Sequence, residues 1–125
     1  KAISHQEQYL EIALDIGDRL GEGISLGNLG LCYESLGEYQ KAVEYQKQSL
    51  DIAREISDRL GEGITQGRLG LCYDSLGEYQ IAIEYSQQSL DIAREIGDRH
   101  GEASARGILA FILFTFKYIK ISISI

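Results

Sequence analysis

Residues 17–56 read GDRLGEGISLGNLGLCYESLGEYQKAVEYQKQSLDIAREI, and residues 57–96 read SDRLGEGITQGRLGLCYDSLGEYQIAIEYSQQSLDIAREI. The two stretches agree at 31 of 40 positions. The register reaches backward, where Lys1, Ala2, Ile12, Ala13 and Ile16 match Lys41, Ala42, Ile52, Ala53 and Ile56. It also reaches forward, where Gly97, Asp98, Arg99, Gly101, Glu102, Gly107 and Leu109 match Gly17, Asp18, Arg19, Gly21, Glu22, Gly27 and Leu29. Self-similarity with a period of about 20 to 50 residues is the mark of stacked supersecondary units, each too small to bury its own apolar face.

Each unit reads as two helices. In the first, helix A, Leu26, Leu29, Tyr33 and Leu36 recur at helical spacing and form one stripe. Gly37 follows the stripe and Gly77 repeats it, each where a left-handed cap ends a helix. Helix B starts at once. Its stripe is Tyr39, Ala42, Val43, Leu50, Ala53 and Ile56, and Tyr45 with Ile52 forms a second, so two sides of this helix can be covered. Asp18, Asp58 and Asp98 stand where the next helix A needs an N-cap. Gly30 and Gly70 lie on the packing side of helix A, where a missing side chain admits a close neighbour at about 1 kcal/mol in helix propensity. The expected fold is all-α, an array of antiparallel hairpins of about three units in the order B-A-B-A-B-A, in which each unit touches its neighbours.

Length and composition agree with this. The 125 residues suit one domain, and 44% hydrophobic with 25% charged residues argues against disorder and disulfide scaffolds. A net charge of −7 repels phosphate backbones and anionic lipid, so nucleic acid is excluded as a charge-driven partner and a membrane surface is disfavoured. Two cysteines and no secretory leader point to a reducing, cytoplasmic compartment. The chain contains no Met and opens on Lys1 inside a helical pattern, and so reads as a piece of a longer protein.

Asn28-Leu29-Gly30, Tyr33, Leu36-Gly37, Tyr39 and Ala42, repeated as Leu69-Gly70, Tyr73, Leu76-Gly77, Tyr79 and Ala82, resemble tetratricopeptide repeats. The 40-residue period with Gly-Asp-Arg at its junctions is similar to the variant found in Pins-type G-protein-signalling modulators and kinesin light chains. The resemblance implies a right-handed α-solenoid whose concave face, lined by the A helices, binds peptides or proteins. It also implies a groove lined by Ile24, Asn28, Leu31 and Glu34, by Ile64, Arg68, Leu71 and Asp74, and in the third copy by Phe111. Such a trough is apolar along its floor with Glu34 and Asp74 on one edge, and suits an apolar, basic segment. Leu31, Leu71 and Phe111 stand where chaperone-binding members carry the asparagine of their carboxylate clamp, so that mode is disfavoured. The chain departs from the family in lacking the proline that usually closes a unit and in carrying Ser49 and Ser89 where a small alanine is common.

Patterns that imitate chemistry dissolve in the repeat. Gly23-Ile24-Ser25-Leu26-Gly27 satisfies G-x-S-x-G, but a nucleophile elbow needs a strand before it, and the next copy reads Gly63-Ile64-Thr65-Gln66-Gly67. Gly21-Glu22-Gly23 sits in a helical pattern with a carboxylate between the glycines, which is wrong for a phosphate loop. Cys32 and Cys72 occupy equivalent positions on successive A helices, farther apart than the Cα separation of about 7 Å that a disulfide tolerates, and read as small core residues. His5 and His100 lie at opposite ends, which gives metal binding little support. Glu44, Lys47, Asp51 and Arg54 read as a solvated helix face. No cofactor, metal or catalytic constellation is implied, and the leading function is a non-catalytic protein-binding module.

The end of the chain differs. Ile108 to Phe116 is almost wholly apolar, and Ile119 to Ile125 alternates in the manner of a strand. Helix A of the third unit is expected to reach about Phe114, giving an array over 1–116 and an atypical tail over 117–125. Lys117 replaces the stopping glycine. Exposure of Phe111, Ile112, Phe114 and Phe116 would promote self-association through residues 108–125, the alternative function. The apolar run is about half of the roughly 20 residues that a membrane span requires.

Overall fold

The computed structural model describes residues 1–124, with the side chains of residues 1–122. Six helices follow one another: α1 (Ala2–Ile16), α2 (Arg19–Ser35), α3 (Tyr39–Glu55), α4 (Arg59–Ser75), α5 (Tyr79–Glu95) and α6 (Arg99–Ser124). Each packs against the next, and α4 also meets α6. The fold is all-α, built of helices packed sequentially as hairpins, with α2, α4 and α6 as A helices and α1, α3 and α5 as B helices.

Local chemistry sets the boundaries. Asp18 Oδ1, Asp58 Oδ1 and Asp98 Oδ1 accept from the backbone N–H of Gly21, Gly61 and Gly101, each at 2.9 Å, and so satisfy a donor that the first helical turn leaves without a partner. At the other end of α2, Gly37 takes φ +76°, and the N–H groups of Gly37 and Glu38 donate to the carbonyls of Glu34 and Tyr33 at 2.9 Å. That pair of bonds closes the helix on its own last carbonyls. Gly77 repeats the turn at φ +78°. After α3 the same turn is made by Ser57 at φ +60°, a conformation in which a Cβ crowds the backbone.

The core lies between A and B helices, around Leu29, Tyr33, Ala42, Val43, Leu50, Leu69 and Cys72. Close approach comes from missing side chains on α2 and α4: a Cβ at Gly30 would stand 2.5 Å from Gln46 Nε2, and one at Gly70 would overlap the Ser86 hydroxyl. Polar groups stitch this seam. Gln46 Nε2 donates to the Gly27 carbonyl at 2.8 Å, Ser49 Oγ to the Gly23 carbonyl at 2.8 Å and Ser89 Oγ to the Gly63 carbonyl at 2.7 Å. Ser49 and Ser89, which depart from the usual alanine, thus bind backbone acceptors across the hairpin. Tyr33 stacks on Tyr45, and Tyr73 on Tyr85, with ring centroids 5.4 and 5.6 Å apart.

Three sequence expectations are corrected. Leu36 is exposed rather than part of the buried stripe, because it is the capping residue beyond the last turn of α2; Leu76, in the more enclosed second unit, is half-buried. Ile112 is buried, in the register position of Cys72, and Phe116 is half-buried and stacked on Tyr79 at 5.8 Å, whereas Phe111 and Phe114 are exposed. The helix expected to end near Phe114 goes on: α6 runs through Lys117 to Ser124 without a break, so the alternation from Ile119, which left helix and strand open, is helical as far as Ser124, and Ile125 lies outside the described residues. A lone strand has no ladder to take its backbone groups, while a helix satisfies its own, and no glycine interrupts it at 117.

Candidate functional site

The A helices stand side by side with the B helices behind them, and this geometry leaves hollows between successive A helices. One, of about 180 Å³, is walled by Leu20, Ile24 and Asn28 of α2 and by Ile64 and Arg68 of α4, with Ser49, Ile52 and Ala53 of α3 as its floor. The next, of about 170 Å³, is walled by Leu60, Ile64, Arg68 and Leu71 of α4 and by Ser104 and Ile108 of α6, over Ser89, Ile92 and Ala93 of α5. A further hollow lies between α1 and α2 and also reaches Ile24 and Asn28. Ile24 and Asn28 therefore border two hollows, as do Ile64 and Arg68. The result is a trough stepping along the array with the period of the sequence.

Of the residues expected in a groove, Ile24, Asn28, Ile64, Arg68 and Leu71 line these hollows; Leu31, Glu34, Asp74 and Phe111 do not. Ile24, Ile64 and Phe111 are exposed, and Leu31, Leu71, Glu34 and Asp74 are half-buried. The floor residues Ser49, Ile52, Ala53 and Ile56 come from the B helix. Ala53 and Ile56 belong to the first apolar stripe of helix B and Ile52 to the second, and the sequence assigns both stripes to packing between helices.

Three polar groups shape the electrostatics. Arg68 Nη1 lies over Gly27, 3.4 Å from where a Cβ would stand, and among the described residues its guanidinium has no hydrogen-bond or ion-pair partner. Burial works against its charge and Glu34 supports it. Cys72 Sγ donates to Glu34 Oε1 at 3.5 Å, and burial first, then the Glu34 charge, pushes its thiol up to about 12. Such a thiol is protonated at neutral pH and is no nucleophile. Asp74 Oδ1 is buried without a partner, and desolvation raises the carboxyl above its ordinary range.

The sequence reading missed a ladder of ion pairs at the junctions. Arg19 binds Glu55 through two nitrogens at 2.6 and 2.7 Å and Glu22 at 2.8 Å. One step on, Arg59 binds Glu95 at 2.7 and 2.8 Å and Glu62 at 2.9 Å, with Arg54 also on Glu62 at 3.3 Å. These pairs hold the carboxyls of Glu55 and Glu95 below their usual range. The available clue was the recurrence of Arg and Glu 36 residues apart in both copies.

Among the described residues no group of side chains could hold a metal ion, and no helix is long and apolar enough to cross a membrane. Six helices stacked as hairpins around a periodic trough define a helical repeat array. Two family models, each described as tetratricopeptide repeat, match residues 1–55 and 65–96, together more than half of the chain, and the protein belongs to the tetratricopeptide repeat family. No curated protein matches the chain.

Proposed function

We propose that the chain is a non-catalytic binding module that holds an extended or helical segment of a partner protein in the trough between its A helices. Tetratricopeptide repeats are in general protein-interaction modules. The observation that carries the groove reading is the sharing of Ile64 and Arg68 by two hollows, which makes one continuous apolar path across α2, α4 and α6. A preformed trough asks little reorganisation of the array on binding. The partner is apolar where it enters the hollows, and a basic character is favoured by the net charge of −7 of the chain. The 40-residue period resembles that of Pins-type modulators and kinesin light chains, whose repeats also take protein segments.

A random peptide library selected on the chain supplies ligands for the test. Ile64→Asp, at an exposed position, and Leu71→Ala should each weaken the selected peptides at least about tenfold, with thermal unfolding nearly unchanged. Peptides that bind both variants as tightly as the wild type would remove the trough from the mechanism.

A further inference from the structure

Three copies of one register position meet different partners. Asn28 Nδ2 donates to Gln6 Oε1 at 3.4 Å across a sequence offset of 22 residues, so that pair is closed. The same offset sets Arg68 against Gln46 and Ile108 against Ser86. The middle pair is open. Among the described residues the Arg68 guanidinium has no partner, and Gln46 Oε1 is buried without a donor, although Gln46 Nε2 binds the Gly27 carbonyl. Gln46 is 0% exposed, so its orphaned oxygen is fixed in place by packing.

The open groups converge on one spot. Gly27 has no side chain, and around the place where its Cβ would stand lie Ser49 Oγ at 3.2 Å, Arg68 Nη1 at 3.4 Å and Gln46 Oε1 at 3.7 Å. The Ser49 hydroxyl donates to the Gly23 carbonyl, which leaves its oxygen able to accept. Gly27, Ser49 and Arg68 border the hollow of about 180 Å³ between α2 and α4, so the spot opens on the trough. One step on, the place of a Cβ at Gly67 meets the Ser89 hydroxyl and, instead of a guanidinium, Ile108 Cδ1 at 3.5 Å.

Two acceptors and one charged donor around a single spot call for a ligand group with two donors and an acceptor. A carboxylate has no hydrogen and would set its lone pairs against Gln46 Oε1. An ammonium has no acceptor and would meet Arg68 as a like charge. A backbone peptide group is trans, with its single N–H and its C=O on opposite edges. A primary carboxamide has an N–H on the same edge as its C=O and a second N–H besides. We propose that the first hollow is a subsite for the side-chain carboxamide of an Asn or Gln on the bound segment. The amide oxygen accepts from Arg68, the NH2 group donates to Gln46 Oε1 and Ser49 Oγ, and the methylene stem lies against Ile24 and Ile64. The inference rests on the trough reading and adds one polar group to an otherwise apolar partner.

Four probes test it: pentanamide, pentanoate, N-methylpentanamide and 1-pentanol, each titrated onto the isotopically labelled chain and followed by NMR at the Arg68 Nε–H. Pentanamide should bind with a dissociation constant of about 10 mM, and each of the others at least about fivefold more weakly, because each leaves a polar group of the subsite unanswered. Gly27→Ala sets a methyl group among the three polar groups and should abolish pentanamide binding. Gly67→Ala meets Ser89 at the same 3.2 Å and should leave binding as in the wild type, with thermal unfolding of the two variants alike. The subsite is overturned by no response to pentanamide up to about 100 mM, by any other probe binding as tightly, or by a Gly27→Ala chain that still takes pentanamide. The trough itself is judged apart, by whether selected peptides respond to Ile64→Asp.

Discussion

Helices α4 and α6 begin alike and fare differently. Both start behind an aspartate that caps a glycine N–H, and both carry an acid three residues after the arginine that opens them. Yet α4 is enclosed by α3, α5 and α6 and stops before a glycine at positive φ, while α6 has α5 and α4 and runs on to Ser124. The beginning of an A helix is therefore written in a few adjacent residues, and so is its end. Packing decides what a small residue in the middle is worth.

The same substitution on the two helices puts that contrast to its strongest test. At Gly70 an added Cβ overlaps the Ser86 hydroxyl and stands 3.2 Å from the Ala82 carbonyl, which is backbone and cannot turn away. Gly70→Ala should cost about 2 kcal/mol, since helix separation outweighs the gain in propensity. Gly107 faces open space. There Gly107→Ala should stabilise by up to about 1 kcal/mol, read by denaturant unfolding at low protein concentration. Equal effects at both sites would mean that the A and B helices are not seated as tightly as described.

Much of this was legible in the sequence. The period fixed the number and order of helices, because a shift of 40 residues returns the same caps, stops and stripes. Asp18, Gly37 and their copies act locally and could be read one at a time. The trough was legible in part. Ile24, Asn28, Ile64 and Arg68 came from the family resemblance, whereas the floor at Ser49 and Ile52 depends on where one helix lies behind two others. The Arg19–Glu55 and Arg59–Glu95 pairs join residues 36 apart, beyond any spacing along one helix. At the end of the chain the alternation from Ile119 left helix and strand open, and the helix prevails because the described residues hold no second strand to pair with.

The three junction turns sharpen the comparison at smaller magnitude. Gly17 and Gly97 take φ +71° and +70°, but Ser57 makes the same turn with a side chain at φ +60°. Ser57→Gly should raise stability by about 1 kcal/mol, the relief of left-handed strain less the added freedom of the unfolded chain. No gain would indicate that the Ser57 side chain compensates the strain.

At the far end, Lys117 occupies the register of Gly37 and Gly77. Lys117→Gly should cut α6 near Thr115, lowering the far-UV helical signal while leaving the unfolding midpoint within about 2 °C. An unchanged signal would show that the stop needs the following B helix and not the glycine alone.

The smallest effect concerns two acids in one register. Glu34 reaches the Cys72 thiol, but the residue one step on from Cys72 is Ile112, which offers Asp74 no donor. Asp74 is left with a buried oxygen and a carboxyl pKa raised by desolvation. A carboxyl that holds its proton more tightly in the folded state favours folding below its unfolded pKa, and loses that advantage as pH rises through the folded value. Asp74→Asn should therefore match the wild type below about pH 3 and melt about 1 °C higher above about pH 6. A variant that melts lower at neutral pH would place a donor on Asp74 and remove the difference between the two acids.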